Sequence, residues 1–306
     1  MTVASPESAL IRAMPGVFVL IWSTGFIVAK FGLPYAPPLT FLAIRYVLSI
    51  LCFLVWIRLA NATWPKGRLQ WLHLAVVGLL MHAVYLGGVW AAVKAGMGSG
   101  LVSLMVGLQP VLTALWIAGM SPTGSARNAQ VKVTPRQWMG LLLGLGGLLL
   151  VVARKFGTGQ EVSALTLGCA VFALLGITAG TLYQKRFLKP ADVRTANTIQ
   201  LGAALLVTLP LALFEREAIV WNQQFVGAMA WSVVALTLGG SSLLYLLIQR
   251  GAATSVASLF YLVPPTTALM AWALFDESIT LTTLVGTALT ALGVRLVVKP
   301  ARLKAA

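Results

Sequence analysis

Ten polar or aromatic side chains inside long apolar stretches are the candidates for binding a solute. At such depths contact with lipid is costly, so we expect these side chains to face the interior of a helix bundle. The substrate-binding candidates are Trp22, Ser23, His82, Tyr85, Trp90, Gln109, Thr178, Ser241, Tyr245 and Tyr261. Catalysis would need a nucleophile paired with a base, or clustered metal ligands. Because His82 has no carboxylate partner, we predict no catalytic residue, no metal site and no cofactor.

Each candidate also has a purely structural interpretation. Serine and threonine often bond the backbone of their own helix or let helices pack closely, and His82 could be a neutral core histidine. Trp22 lies mid-span, so anchoring at the membrane interface does not explain it. Anchoring does explain the tryptophans near span ends, which are Trp64, Trp71, Trp138 and Trp221. His82 and Tyr85 are three residues apart and therefore share one helical face.

Acidic residues are missing from the core of every apolar stretch; all seven lie in termini, loops or span ends. Proton-coupled pumps commonly place a carboxylate in the membrane, and a permanent organic cation would find no charge partner here. Phosphorylated solutes would need several deep basic groups, whereas only Arg45 comes close. The remaining groups favour a neutral or zwitterionic solute, such as an amino acid, moving down its gradient. Any proton coupling would depend on His82, the one deep residue that titrates near neutral pH.

The composition is that of an integral membrane protein. Hydrophobic residues make up 59% of the 306 residues and charged residues 9%. Soluble domains have about 45–50% apolar and about 25% charged residues. Because backbone polar groups in lipid must be satisfied within each segment, the chain is predicted to be all-α. Cys52 and Cys169 lie in apolar stretches and are interpreted as small buried hydrophobes.

Apolar runs bounded by charge, proline and glycine predict ten transmembrane helices. Most of these runs approach the roughly 20 residues needed to cross a hydrocarbon core of about 30 Å. The predicted spans are 13–33, 38–60, 70–93, 99–119, 136–153, 163–184, 195–213, 223–249, 253–274 and 279–298.

The formal net charge of +15 comes mainly from loops on one side of these spans. Cytoplasmic loops are rich in lysine and arginine, so both termini are predicted to be cytoplasmic. Without a soluble basic domain or a long basic run, the charge does not predict binding to nucleic acid.

The chain also repeats itself. A shift of 155 residues aligns 96–110 with 251–265 and Trp90 with Tyr245, and after the fourth span the shift falls to 146. We predict two repeats, residues 1–155 and 156–306, with five helices each. An odd number of helices makes the second repeat enter from the opposite side, the inverted topology of secondary transporters that bind substrate near the midplane. The alternative is a duplicated scaffold without a role in transport.

Prolines and glycines recur at matched depths in the two repeats. Pro110 and the pair Pro264 and Pro265 interrupt helical hydrogen bonding, which predicts either a hinge or a freed carbonyl that binds solute. Small residues also favour close packing of the fifth and tenth helices. The glycines concerned are Gly140, Gly144, Gly147, Gly286 and Gly293.

These features together resemble the drug/metabolite transporter superfamily, in particular the EamA-type bacterial exporters. The residues that carry the resemblance are the pattern from Trp22 to Lys30, Arg45, the repeated junctions at 96–110 and 251–265, the Asp276–Glu277 turn and the glycines of the fifth and tenth helices. Within that group the chain is most similar to the YddG-type amino-acid exporters. The resemblance covers essentially the whole sequence.

The resemblance implies a ten-helix fold in the bacterial inner membrane and the export of small metabolites. It also implies a cavity lined mainly by helices 1, 3, 4, 6, 8 and 9. We expect a monomer that is not an enzyme, whose partners are a small solute and the lipid bilayer. Efflux of drugs or organic cations is the alternative within transporters, and a channel or an embedded enzyme is the alternative outside them.

Overall fold

The computed structural model describes residues 6–119, 135–155, 162–249 and 260–297. These residues form ten helical segments and no strand. The helices are α1 (Pro6–Gly32), α2 (Pro38–Leu59), α3 (Arg68–Lys94), α4 (Ser99–Val106 and Gln109–Gly119), α5 (Pro135–Lys155), α6 (Ala164–Phe187), α7 (Val193–Ala212), α8 (Gln223–Trp231, Ser232–Ser241 and Ser242–Gln249), α9 (Phe260–Leu262 and Val263–Phe275) and α10 (Leu281–Val297). The all-α prediction is confirmed.

Five helices are long and apolar enough to cross a membrane by themselves: α2, α3, α6, α7 and most of α8. The other five contain shorter apolar stretches of 10–17 residues. The predicted ninth span begins at residue 253, and its first part lies outside the described residues. The structure therefore supports a multi-pass membrane protein, while ten complete crossings remain a prediction. The division into repeats 1–155 and 156–306 also remains a prediction.

Helix contacts between the two halves are matched, as expected around a pseudo-two-fold axis. Three pairs of equivalent helices contact each other across it, namely α2 with α7, α4 with α9 and α5 with α10. The remaining contacts come in matched sets, because α1 packs on α8 and α9 just as α6 packs on α3 and α4.

The glycine contacts between α5 and α10 give the relative direction of the two halves. A Cβ atom on Gly286 would lie 2.6 Å from the carbonyl oxygen of Gly147, and one on Gly293 would lie 2.4 Å from that of Gly140. From Gly286 to Gly293 the residue number in α10 rises, while the contacted residue in α5 falls from Gly147 to Gly140. The two helices are therefore antiparallel. Such antiparallel, self-equivalent packing is what an inverted repeat requires, so the glycine interface and the inverted repeat are both found.

Helix irregularities also recur at equivalent positions. A π-helical segment occupies Leu79–Leu86 in α3, and another occupies Ser232–Ser241 in α8, close to 155 residues later. A π-helix shifts the hydrogen bonding by one residue and is common at functional sites. The sequence analysis did not predict either segment.

Prolines lie where α4 and α9 are interrupted. Pro110 is the second residue of the latter part of α4, and Pro264 and Pro265 lie in the first turn of the long part of α9. Proline is tolerated in a first turn because its missing N–H would have no helical partner there. A Cβ atom on Gly107 would approach the Pro264 ring to 2.6 Å, so the two interruptions pack against each other. Bending at these points remains a prediction.

Candidate functional site

A cavity lies between the two halves and is lined by three helices of each. The empty space among its side chains is about 730 Å³, including the part open to solvent. Its lining residues are Trp22, Gly25, Phe26, Arg45, Met81, His82, Tyr85, Leu86, Val89, Trp90, Gln184, Asn197, Gln200, Leu236, Ser241, Leu244 and Tyr245. These residues belong to α1, α2, α3, α6, α7 and α8.

Six of the ten binding candidates line this cavity: Trp22, His82, Tyr85, Trp90, Ser241 and Tyr245. Trp90 and Tyr245, which match under the shift of 155, thus border the same space from opposite repeats. The side chain of Tyr261 lies outside the described part of the structure.

The other three candidates make structural contacts elsewhere. Ser23 donates a hydrogen bond of 3.5 Å to the carbonyl oxygen of Val263 and so joins α1 to α9. Thr178 donates to the carbonyl oxygen of Leu174 in its own helix at 2.6 Å. Gln109 donates to Thr181 at 2.7 Å and joins α4 to α6. None of these three residues lines the cavity in this structure, and their role in binding a solute remains a prediction.

Helices α4 and α9 contribute no described residue to the lining, although the resemblance implied that they would. Instead, α2 supplies Arg45 and α7 supplies Asn197 and Gln200. The physical reason is that the interruptions of α4 and α9 pack on each other, whereas the polar side chains of α2 and α7 point inward.

Among the described lining residues, Arg45 is the one arginine or lysine. It is the eighth residue of α2, about 10 Å from the helix start at about 1.5 Å per residue, and only 5% of it is exposed. Its Nε atom donates to the hydroxyl of Thr237 at 3.0 Å. Thr237 in turn donates to the carbonyl oxygen of Ser232 at 2.9 Å, a bond between residues five apart that the π-helical segment of α8 provides.

His82 and its neighbours add further polar groups to the lining. Tyr46 donates its hydroxyl to the backbone carbonyl of His82 at 2.7 Å, which anchors the π-helical segment of α3. The side chain of Gln200 interacts with the His82 ring. The Gln200 Nε2 atom is buried and has no hydrogen-bond partner among the described residues. Buried polar atoms without a partner are rare, so this amide is a candidate binding group.

Two tryptophans give the cavity aromatic surfaces. Trp22 packs against Phe18 and Phe260, with ring centroids 5.2 and 5.6 Å apart. Trp90 packs against Phe41 at 4.3 Å. Because rings from other helices hold both indoles, their positions are fixed before a solute binds, and they offer flat apolar surfaces to its side chain.

No aspartate or glutamate lines the cavity in the part of the chain that the structure describes. Acidic side chains are engaged at the helix ends instead. Asp192 pairs with Arg194 at 2.7 Å, and the Glu215 carboxylate accepts from the backbone N–H of Thr40 at 2.7 Å. The described residues also contain no group of three or more potential metal ligands. Among the described lining residues, Arg45 is therefore the one side chain with a permanent charge.

At one end of the bundle, Glu277 connects several helices. The carboxylate forms an ion pair of 2.6 Å with Lys30 and accepts from the backbone and hydroxyl of Ser99 at 3.1 and 2.9 Å. Burial opposes ionisation of Glu277, but the hydrogen bond and charge of Lys30, with the bonds from Ser99, lower its pKa below the ordinary value. Lys94 pairs with Glu217 at 2.7 Å beside it. Among the described residues, both ion pairs that join the two halves lie at this end.

Four polar lining residues were absent from the sequence candidates: Arg45, Gln184, Asn197 and Gln200. The sequence analysis considered Arg45 only as a single deep basic group, too few for a phosphorylated solute. The spacing of Asn197 and Gln200, three residues apart on one face of α7, was the signal that could have found them.

Comparison with known proteins agrees with this architecture. The EamA-like transporter family matches the chain twice, over residues 16–153 and 164–299. The chain is 24% identical to the "Uncharacterized inner membrane transporter YedA" of Escherichia coli K12, over 82% of this chain and 78% of that protein. It is 22% identical to the "Probable amino-acid metabolite efflux pump" of the same organism, over 86% of each. A solved crystal structure shares the fold with a TM-score of 0.65 at 15% identity, covering 93% of this chain and 95% of the other.

The two family matches coincide with the two halves that pack around the pseudo-two-fold axis. Members of this family are transporters, which implies small-molecule substrates and a lipid environment. This chain is a membrane transporter that belongs to the EamA-like transporter family.

Proposed function

We propose that the protein exports amino acids or closely related small metabolites from a bacterial cell by alternating access, as a facilitator and not an enzyme. The cavity between the antiparallel halves carries this proposal. Its aromatic walls, its amide and hydroxyl groups and its single fixed positive charge suit a solute with a carboxylate and an apolar side chain. The printed name of the efflux pump in Escherichia coli supports the same class of solute.

The distribution of basic loops favours a protein of the inner membrane with both termini in the cytoplasm. The Glu277 end would then face outward. The ion pairs of Lys30 with Glu277 and of Lys94 with Glu217 would close the outer side, so that solute loads from the cytoplasm. Pro110 and Pro265 would let α4 and α9 bend when the carrier reverses. We expect the monomer to be the working unit, since each chain contains a complete cavity.

Energy coupling follows from the titratable groups. The described lining contains no carboxylate that could exchange a proton for a solute. We expect the solute gradient alone to drive export, with His82 as the one residue through which a pH gradient could act.

The test is efflux from proteoliposomes. Purified full-length protein is reconstituted, the vesicles are loaded with radiolabelled L-phenylalanine, L-tryptophan, L-glutamate or L-lysine, and efflux is followed with and without a pH gradient. We expect saturable efflux of the neutral and aromatic amino acids at a similar rate in both conditions. Efflux that is absent for all four, or blocked by amphipathic cations and not by amino acids, would contradict the proposal.

A further inference from the structure

The guanidinium group of Arg45 is a buried cation with an incomplete set of partners. Arginine has five N–H donors, four of them on its two terminal nitrogens. Only Nε has a hydrogen-bond acceptor among the described residues, the Thr237 hydroxyl at 3.0 Å. The π-helical segment of α8 fixes that hydroxyl through Ser232. The bond from Nε therefore orients the side chain, while its two terminal nitrogens have no acceptor among the described residues of this cavity-lining group.

Among the described residues, no carboxylate pairs with Arg45. The acidic residues of the described part lie in loops or at helix ends, and the seventh, Glu161, falls between α5 and α6 in the sequence, outside the described part. An unpaired charge at this depth in a membrane is costly, so such residues mark the path of an ion or solute. Because the described residues supply no anion for Arg45, an anionic group of the solute is the candidate for that role.

We propose that Arg45 binds the carboxylate of the transported solute. Its planar fork matches a carboxylate in bidentate geometry, which a lysine in the same place would not reproduce. Gln200 is the candidate for an independent donor, because it lines the same cavity and its buried Nε2 atom has no partner among the described residues. Trp22 and Tyr85 then face the apolar part of the solute.

This assignment rests on the proposed function and narrows its substrate class. The solute must carry a carboxylate, whereas its amino group is dispensable, since the lining offers no carboxylate to pair with an ammonium ion. A compound with the ammonium ion alone would meet the uncompensated charge of Arg45 and be rejected.

Three related probes separate these groups: L-tryptophan, 3-indolepropionate without the amino group, and tryptamine without the carboxylate. Their dissociation constants are measured on the full-length protein in detergent for the wild type, Arg45→Met, Arg45→Lys and Arg58→Met. Arg58 is the matched control, because it lies in the same helix but is exposed. Efflux of L-tryptophan from proteoliposomes is measured for the same four proteins.

We expect the wild type and Arg58→Met to bind L-tryptophan and 3-indolepropionate at least ten-fold more tightly than tryptamine. Arg45→Met should lose this preference, and Arg45→Lys should retain part of it. If Arg45→Met does not fold, the affinities of the wild type and of Arg45→Lys still test the assignment. Equal affinity of the wild type for all three probes overturns it. The absence of any carboxylate-dependent binding to the wild type also overturns it.

The two proposals fail in different ways. If Arg45→Met exports L-tryptophan with the KM and rate of the wild type, amino-acid export stands and the role of Arg45 is wrong. If 3-indolepropionate binds through Arg45 but no amino acid is exported, the role of Arg45 stands and the proposed function is wrong.

Discussion

Glu277 in the loop after α9 and Lys30 in α1 form an ion pair of 2.6 Å that joins the two halves of the protein. The same carboxylate also accepts from Ser99 at the start of α4. One acidic side chain thereby connects three helices at one end of the bundle. In the proposed cycle this connection must break each time the cavity opens toward that end.

Replacement of this carboxylate tests its contribution. Glu277→Gln should lower the free energy of unfolding by about 1–3 kcal/mol at pH 7, because hydrogen bonds to charged groups contribute about that much. The Tm in detergent measures the effect. Glu217→Gln is the matched control, since Glu217 is half-exposed in its pair and should change the Tm little. An equal loss in both variants would contradict a special role for Glu277.

The same ion pair gives a pH dependence of known sign. Because the pKa of folded Glu277 lies below its ordinary value of about 4.5, its contribution is complete above that pH and is lost as the pH falls through the folded pKa. The difference in Tm between wild type and Glu277→Gln should be constant from pH 8 to pH 6 and shrink below about pH 4.5. A difference that grows in acid would show that the sign is wrong.

The glycine contacts of α5 and α10 predict a sharp contrast between neighbouring positions. Gly147→Ala would bring a methyl group within 2.4 Å of the Gly286 carbonyl oxygen, whereas a methyl group at Gly146 would meet nothing within 4 Å. Overpacking of this kind costs about 1–3 kcal/mol. Thermal unfolding followed by size-exclusion chromatography should show a lower Tm for Gly147→Ala and an unchanged Tm for Gly146→Ala. Similar Tm values for both would disprove the close contact.

Much of this architecture was accessible from sequence because it follows from simple chemistry. Composition and span length required helices in lipid, and the shift of 155 residues revealed the repeat together with the equivalence of Pro110 and Pro265. The interface of Gly147 with Gly286 followed from small residues in apolar helices. Each of these features depends on residue type and spacing alone.

The lining of the cavity was only partly accessible, because the packing of neighbouring helices decides which face of a helix points inward. Thr178 and Ser241 have similar hydroxyl side chains at similar depths, yet only Ser241 lines the cavity. The orientation of Arg45 depends on Thr237 and on a π-helical segment that no pattern of residues indicated. Single-helix arguments therefore identified the aromatic surfaces better than the polar groups.

The prolines of α4 and α9 should affect rate more than folding. Pro110→Ala and Pro265→Ala would remove the proline ring and add a backbone N–H, which would let each helix continue across its interruption. We therefore expect amino-acid efflux several-fold slower with little change in Tm. Pro210, inside α7 and exposed, is the matched control, and Pro210→Ala should leave efflux unchanged. Unchanged rates in both single variants would remove the hinge from the mechanism.

Trp22 should contribute directly to binding aromatic solutes. Trp22→Ala would remove an indole surface held by Phe18 and Phe260, and we expect the KM for L-tryptophan efflux to rise about ten-fold, in line with the energy of aromatic packing plus lost burial. Trp138→Ala is the control, since Trp138 is exposed at the start of α5. Equal KM values in the two variants would show that Trp22 is structural.

Access to Ser241 from the two sides of the membrane tests alternating access most directly. Cys52 and Cys169 are replaced by alanine, Ser241→Cys is introduced, and a membrane-impermeant maleimide is applied to right-side-out and inside-out vesicles. Labelling from both sides, at rates that added L-tryptophan changes, is the result expected of a carrier whose central cavity opens alternately. Labelling from neither side, or from one side alone with and without the amino acid, would contradict it.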